Sequence, residues 1–373
     1  MPTTKKKSTP KKKVDINQDK KSSYAFSYCT LIELPARVFG PEVGIRRAEM
    51  ILVTDRKWVN GTKLKYYFFN GGSDGSPTSW KGNAAQINVV KQAFSSWKSQ
   101  GIGLEFEEIN DKNEAQVRIG FMRGNGAWSY VGRDVIDVAG SPEERTMNLG
   151  WDISNDIDTV IHEIGHTLGA PHEHQNPNAG IIWNEEAVYN ALAQPPNSWS
   201  RQKTFNNIIR KLAINEVEGS THDANSVMHY PFGPGLILAP AQFVNGINPA
   251  GGLSAKDKEF VKKFYPALSS GDYIKLKLSE SQPLDIKPGQ QKNFVFKPTR
   301  SRKYKIETFG TMDTVMVLFE KNGTDEIYLA GDDDSGTDNN SKIHSRLIKG
   351  REYVIRLRLY YADAEGTGSL MIF

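Results

Sequence analysis

The chain predicts an α+β unit followed in series by an all-β sandwich, and three observations carry that expectation. Apolar residues recur at helical spacing over about 83–99, between short strand-like runs. Past residue 271 the pattern changes to period-two alternation between Gly- and Asp-rich turns. All seven tryptophans lie between 58 and 199, so composition shifts where the periodicity does. At 373 residues the chain is long enough for each unit to bury its own core.

Taken in order, Met1 to Lys21 holds the runs Lys5-Lys6-Lys7 and Lys11-Lys12-Lys13 and almost nothing apolar. Residues 1–44 therefore read as a disordered Lys-rich tail and a candidate prosegment. A solubilising role is the default for the tail, with contact to acidic polymers or a targeting address as alternatives. The run Lys63 to Phe69 reads as a strand. Ala85, Val89, Val90, Ala93, Phe94 and Trp97 give the helix an apolar core-facing stripe. Leu104–Phe106, Val117–Phe121 and Thr146–Leu149 read as further strands, the last preceded by the segment Gly126 to Gly132. Asn155 or Ser154 is the expected cap of a helix over about 155–168. Ser254-Ala-Lys-Asp257 opens a later helix in capping-box form, with Phe260, Val261 and Phe264 on its apolar face. Pro266 and Ser269-Ser270-Gly271 then mark a boundary. Beyond it, Tyr273–Leu278, Lys303–Ile306, Thr314–Phe319 and Tyr353–Tyr360 read as strands of a small sandwich.

Composition is 38% hydrophobic and 24% charged, with no apolar run long enough to span a bilayer as a helix. Part of the net charge of +4 comes from the Lys-rich tail. Neither nucleic acid nor a membrane span is expected among the partners. No secretory signal is visible, because the charged start lacks the apolar stretch of roughly 7–15 residues that must follow it.

The decisive stretch is His162-Glu163-Ile-Gly-His166-Thr-Leu-Gly169-Ala-Pro-His172. On a helix, His162 and His166 project from one face about one turn apart and can share a metal ion. Glu163 is rotated by roughly 100° from His162, so it flanks the metal without ligating it and suits a general base. Gly169 takes positive φ at low cost, ends the helix and lets the chain return His172 as a third ligand. Three neutral imidazoles on zinc leave one position open for an activated water. The chemistry expected is zinc-dependent hydrolysis of peptide bonds in protein or peptide substrates, with Glu163 as general base and then acid.

Downstream stands Ser226-Val-Met228-His-Tyr230-Pro231. The two motifs together resemble the metzincin clan of zinc endopeptidases, and the Ser-x-Met-His-Tyr form resembles the astacin family. That resemblance implies a twisted mixed sheet with long helices over about 45–267. It makes Met228 the floor of the histidine cluster and Tyr230 a switchable ligand whose hydroxyl holds the oxyanion. It also implies an edge strand near 126–132 that pairs with extended substrate. Glu173 matches the position that such enzymes tie to their mature N-terminus, and a solvated loop carboxylate is its alternative. His174 is expected at the surface or behind the ligands; His222, His229 and His344 are expected to be structural. The stretch from His172 to Pro177, with Trp183, Val188 and Tyr189, is similar to bacterial and fungal relatives. The resemblance favours secretion, in conflict with the absence of a visible signal.

Residues 272–373 are similar to the bacterial pre-peptidase C-terminal domain, through Thr311-Met-Asp313-Thr, Leu318-Phe319, Gly331-Asp-Asp333-Asp334 and Gly366-Thr-Gly368-Ser-Leu370. That likeness implies binding to matrix polymers or removal from the enzyme. The loop from Asp332 to Asp338 collects carboxylates that suit calcium, although such turns are common without metal.

Cys29 is the single cysteine, so no disulfide forms within the chain. A thiolate ahead of the catalytic unit could fill the fourth zinc position and hold the enzyme latent. Its surroundings, Ser27-Tyr28-Cys29-Thr30, do not match the matrix metalloprotease switch sequence, and an ordinary buried cysteine is the expectation. The rival reading of the whole chain is an adhesion or polymer-binding protein with a structural or silent zinc site. Glu163 argues against it, because metal binding alone needs no carboxylate there.

Overall fold

A computed structural model describes residues 26–31, 58, 60–132, 134–137, 141–212, 221–267, 273–323, 325–333, 335–360 and 364–373. Apart from 26–31, the expected Lys-rich tail and prosegment lie outside the described residues. Within them the fold is mixed α and β, followed by an all-β sandwich.

The first unit is built on a five-stranded sheet of β1 (Lys63–Phe68), β2 (Glu105–Glu108), β3 (Val117–Gly120), β4 (Trp128–Ser129) and β5 (Met147–Asn148). The order is β2-β1-β3-β5-β4; the first four run parallel, and β4 alone pairs antiparallel at the edge. Helix α1 (Ala84–Lys98) packs against α2 (Ile157–Thr167), and together they cover the sheet. Asn83 starts α1 with a full capping box: its side chain accepts from Gln86 N, and Gln86 accepts from Asn83 N. That use of Gln86 buries it, whereas Ala85, expected in the core stripe, is exposed.

Below this layer, β6 (Ile182–Trp183) pairs with β7 (Ile237–Ala239), and α3 (Glu185–Leu192) lies nearby. Their aromatic and aliphatic side chains form a second core that includes Trp199, Tyr230 and Phe232. Helix α4 (Ala255–Phe264) closes the unit with the expected Ser254–Asp257 capping box.

The second unit is a sandwich. One sheet runs β13-β12-β15-β10-β8: β8 (Ile274–Lys275), β10 (Gln291–Phe296), β12 (Thr314–Asn322), β13 (Asp325–Asp332) and β15 (Glu352–Leu359). The other runs β14-β11-β16-β9: β9 (Gln282–Ile286), β11 (Arg302–Gly310), β14 (Lys342–Leu347) and β16 (Gly366–Ile372). Inward-facing residues of both sheets, Phe294, Ile306, Leu318, Ile355 and Leu370 among them, make its core. The strand expected over Tyr273–Leu278 shrinks to Ile274–Lys275, which pair with Phe294 and Val295 at the sheet edge; Leu276 N still donates to Val295 O, and Leu278 only bridges to Ile372. Arg356 joins the units: its guanidinium donates to Asn60 O and pairs with Glu326. No helix among the described residues is long and apolar enough to cross a membrane.

Candidate metal centre

Helix α2 is set in place from both ends. Its cap is Asp156, whose carboxylate accepts from Thr159 N at 3.2 Å and Thr159 Oγ1 at 2.7 Å. Neither expected residue caps it; Ser154 instead donates to Asp152. At the other end the terminal carbonyls are all claimed. Trp58 Nε1 donates to Thr167 O at 2.6 Å, Tyr265 Oη to Leu168 O at 2.8 Å, and Gly132 N to His166 O at 2.8 Å. Gly169 adopts φ 95°, the turn its place after the helix predicts.

These constraints bring His162, His166 and His172 together, all buried. The Nε2 atoms of His166 and His172 are 3.0 Å apart. His162 Nδ1 meets Val227 O at 2.7 Å, and His166 Nδ1 meets Ala170 O at 2.7 Å. Those carbonyls hold the proton on Nδ1 and leave the Nε2 lone pairs facing one point. Burial lowers the pKa of His162 to about 4 and those of His166 and His172 well below the usual imidazole value, so all three stay neutral.

Cys29 is the fourth member of the group, not an isolated buried cysteine. Its Sγ lies 3.1 Å from His162 Nε2, 3.7 Å from His166 Nε2 and 3.2 Å from His172 Nε2. A tetrahedral zinc with bonds of about 2.1 Å to nitrogen and about 2.3 Å to sulfur separates its donors by roughly 3.3–3.8 Å. The donor set suits that ion. The 3.7 Å separation falls in this range, and the 3.0, 3.1 and 3.2 Å separations are a few tenths of an ångström short of it, so these side chains would spread slightly to hold zinc. Among the described residues this is the one group of side chains that comes together in this way. In the 332–338 loop, Asp332 already accepts from Ser335 N and from Lys342 N at 2.7 Å, and calcium there finds no support.

Glu163 is fully buried, and neither carboxylate oxygen has a hydrogen-bond partner among the described residues. Burial pushes its pKa well above the carboxylate range. Its charge reaches Cys29, whose thiol is pushed up first by burial and then by Glu163. Tyr230 Oη stands 2.5 Å from His172 Nε2, 2.9 Å from Cys29 Sγ and 2.8 Å from Cys29 O, to which it donates. Met228 packs under α2 against Gly165.

Two neighbours of His172 are held in place as well. His174 is buried, not at the surface; it stacks on His172 and Tyr230, and its Nε2 meets Asn207 O at 2.9 Å. Glu173 accepts from Asp223 N at 2.8 Å and Asn176 Nδ2 at 3.2 Å, and burial raises its pKa to about 7. Sequence reasoning missed two further residues, Asn197 and Asn207. Both bind the backbone of residues 26–31 from over 160 positions away, and no local pattern signals that.

Residues 77–233 match the model of the Astacin peptidase family. The solved structure of myroilysin is 31% identical, with a TM-score of 0.50, covering 57% of this chain and 97% of that one. The chain belongs to the astacin family. Astacins are zinc metalloendopeptidases, so the geometry above stands in a family whose chemistry it suits. Bone morphogenetic protein 1 of Xenopus laevis is 28% identical over 232 residues, which cover 59% of this chain and 28% of that protein. The chain spans less than a third of the length of the curated relatives it matches first. The pre-peptidase C-terminal domain of a Bacillus anthracis collagenase matches 28% of this chain at 14% identity, with a TM-score of 0.24.

Proposed function

We propose that this chain is a zinc-dependent endopeptidase in which His162, His166 and His172 hold the metal. One observation carries the reading: three neutral, converging imidazoles lie beside a buried carboxylate whose oxygens have no hydrogen-bond partner among the described residues. Bound zinc supplies a Lewis acid that makes water acidic near neutral pH and polarises a carbonyl. Glu163 takes the proton from the attacking water and passes it to the departing amine nitrogen, and its raised proton affinity suits both transfers. Tyr230 donates a hydrogen bond to the oxygen that gains charge, as its hydroxyl now donates to Cys29 O.

Residues 26–31 lie where an extended substrate would bind. Thr30 N donates to Ala127 O at 3.1 Å, beside edge strand β4, and Cys29 faces the three imidazoles. In this reading the Cys29 thiolate is the fourth ligand of a latent enzyme, and activity follows once the segment withdraws.

The test is cleavage of casein with zinc supplied, with Cys29→Ala as the parent so that the latent state's fourth ligand is absent from both proteins compared. Glu163→Gln should lower the rate by about 10²–10⁴-fold while metal content stays stoichiometric. Equal rates for the variant and the parent would remove the carboxylate's role. Absence of bound zinc in the parent would remove the whole reading.

A further inference from the structure

We propose that the pocket filled by Tyr28 is a substrate subsite that takes an aromatic side chain, tyrosine in preference, from a residue next to the scissile bond. This rests on the peptidase reading and narrows its substrates. Tyr28 immediately precedes the residue that faces the three imidazoles, so its side chain occupies the first pocket beside the reacting position. The ring is 6% exposed. It stacks on Phe232 at 5.8 Å and 24°, with Tyr230 at 5.1 Å and Trp199 at 6.2 Å completing an aromatic wall. The phenol donates to Pro231 O at 2.9 Å. A phenylalanine would fill the same volume and leave that carbonyl unpaired. A carboxylate reaching the same depth would meet a carbonyl oxygen and ring faces, and a small side chain would leave the space empty.

The pocket belongs to the lower core and not to the segment that fills it. Trp199 N donates to Leu192 O at 2.8 Å and Ser198 N to Gln194 O at 3.0 Å, tying that wall to the end of α3. Phe232 exchanges two backbone hydrogen bonds with Ile247, at 2.8 and 2.9 Å. Asn197 reads the main chain beside the pocket: its Oδ1 accepts from Tyr28 N at 3.0 Å, and its Nδ2 donates to Phe26 O at 2.8 Å. One amide thus grips an extended backbone as a neighbouring strand would, whatever sequence it carries. The aromatic pocket adds selection.

Two measurements on the full chain decide it. In the first, Cys29 is titrated with a small disulfide reagent in the parent, Tyr28→Phe and Tyr28→Ala. Tyr28→Ala should react at least about tenfold faster, and Tyr28→Phe should fall between, with folding checked by circular dichroism. In the second, a synthetic library with all residues flanking the cut is offered to the Tyr28→Ala, Cys29→Ala double variant, which frees both positions. Mass-mapped cuts should favour Tyr or Phe over Ala by about tenfold or more at one position adjoining the scissile bond. Cleavage without that preference overturns the subsite and leaves the peptidase reading standing. If nothing is cut, the peptidase reading falls, and the thiol rates judge the pocket alone. Equal rates for the parent and Tyr28→Ala then overturn it, and faster reaction of Tyr28→Ala sustains an aromatic-binding pocket. Should Tyr28→Ala fail to fold, a Tyr28→Phe thiol as reactive as that of the unfolded parent overturns it equally.

Discussion

Met228 Sδ lies well inside van der Waals contact of the point where a Cβ on Gly165 would stand. Gly165 sits inside α2 between His162 and His166, so the methionine reaches the helix backbone just where a side chain is missing. Alanine at 165 gains about 1 kcal/mol of helix propensity. It also meets Met228 Sδ, with Trp97 at 3.3 Å barring retreat, and overpacking of that kind costs about 1–3 kcal/mol. The clash wins. Gly165→Ala should lower the melting temperature and weaken zinc binding, and a variant that melts and binds as the parent does would show that the floor yields freely.

Asp156 starts the same helix, and its Oδ2 also accepts from Trp151 Nε1 at 3.0 Å. Asp156→Ala should cost about 0.5–2 kcal/mol in denaturant unfolding. Asn155→Ala should change little, because its side chain caps nothing. The reverse ranking would return the cap to Asn155.

Legibility followed the range of the contact. The zinc-motif helix and the glycine that ends it show in local sequence spacing, which is enough to locate them, although distant residues hold them in place. The cap lies one or two residues beyond the expected Asn155 or Ser154, because Ser154, Asn155 and Asp156 are all good caps and only Asp156 aligns with Thr159 N. For Cys29 the sequence offers the fourth zinc position only beside an ordinary buried cysteine, since 133 residues separate it from His162 and no local pattern decides between the two. In the sandwich, β12 and β15 were readable from their apolar runs. β10, β13 and β14 were not, because Lys, Asn, Asp and Ser interrupt their alternation. β13 lies at a sheet edge and leaves Ile327, Tyr328 and Leu329 exposed in succession, which erases the period-two signal.

Asp74 predicts a pH-dependent term in stability. Burial acts to raise its pKa, but hydrogen bonds from Ser76, Asn70 N and Tyr67 Oη outweigh it and hold the carboxyl well below the usual range. A pKa lower in the folded than in the unfolded chain stabilises the fold fully above the unfolded value, about 3.9. That contribution fades as pH falls through the folded value. Asp74→Asn should therefore be less stable than the parent at pH 6, with the gap closing as the solution is acidified below pH 4. A gap that is constant across this range would assign the loss to packing instead of charge.

Cys29 offers the sharpest test of the resting state. If its sulfur is the fourth ligand, protein reconstituted with cobalt in place of zinc should show sulfur-to-metal charge-transfer absorption, and Cys29→Ala should lack it. This readout needs no turnover. Activity should follow the same division: freshly purified Cys29→Ala should cut casein without delay, while the parent lags until residues 26–31 leave the cleft. The aromatic seat of Tyr28 and the Asn197 and Asn207 contacts do not use the Cys29 side chain and should persist in that variant. Full activity at once in Cys29→Ala would therefore make the thiolate the main restraint. A rise completed only by Tyr28→Ala would divide the restraint between metal and pocket. An identical lag in parent and Cys29→Ala, with no charge-transfer band in either, would reduce the cysteine to a packed side chain that happens to face three imidazoles.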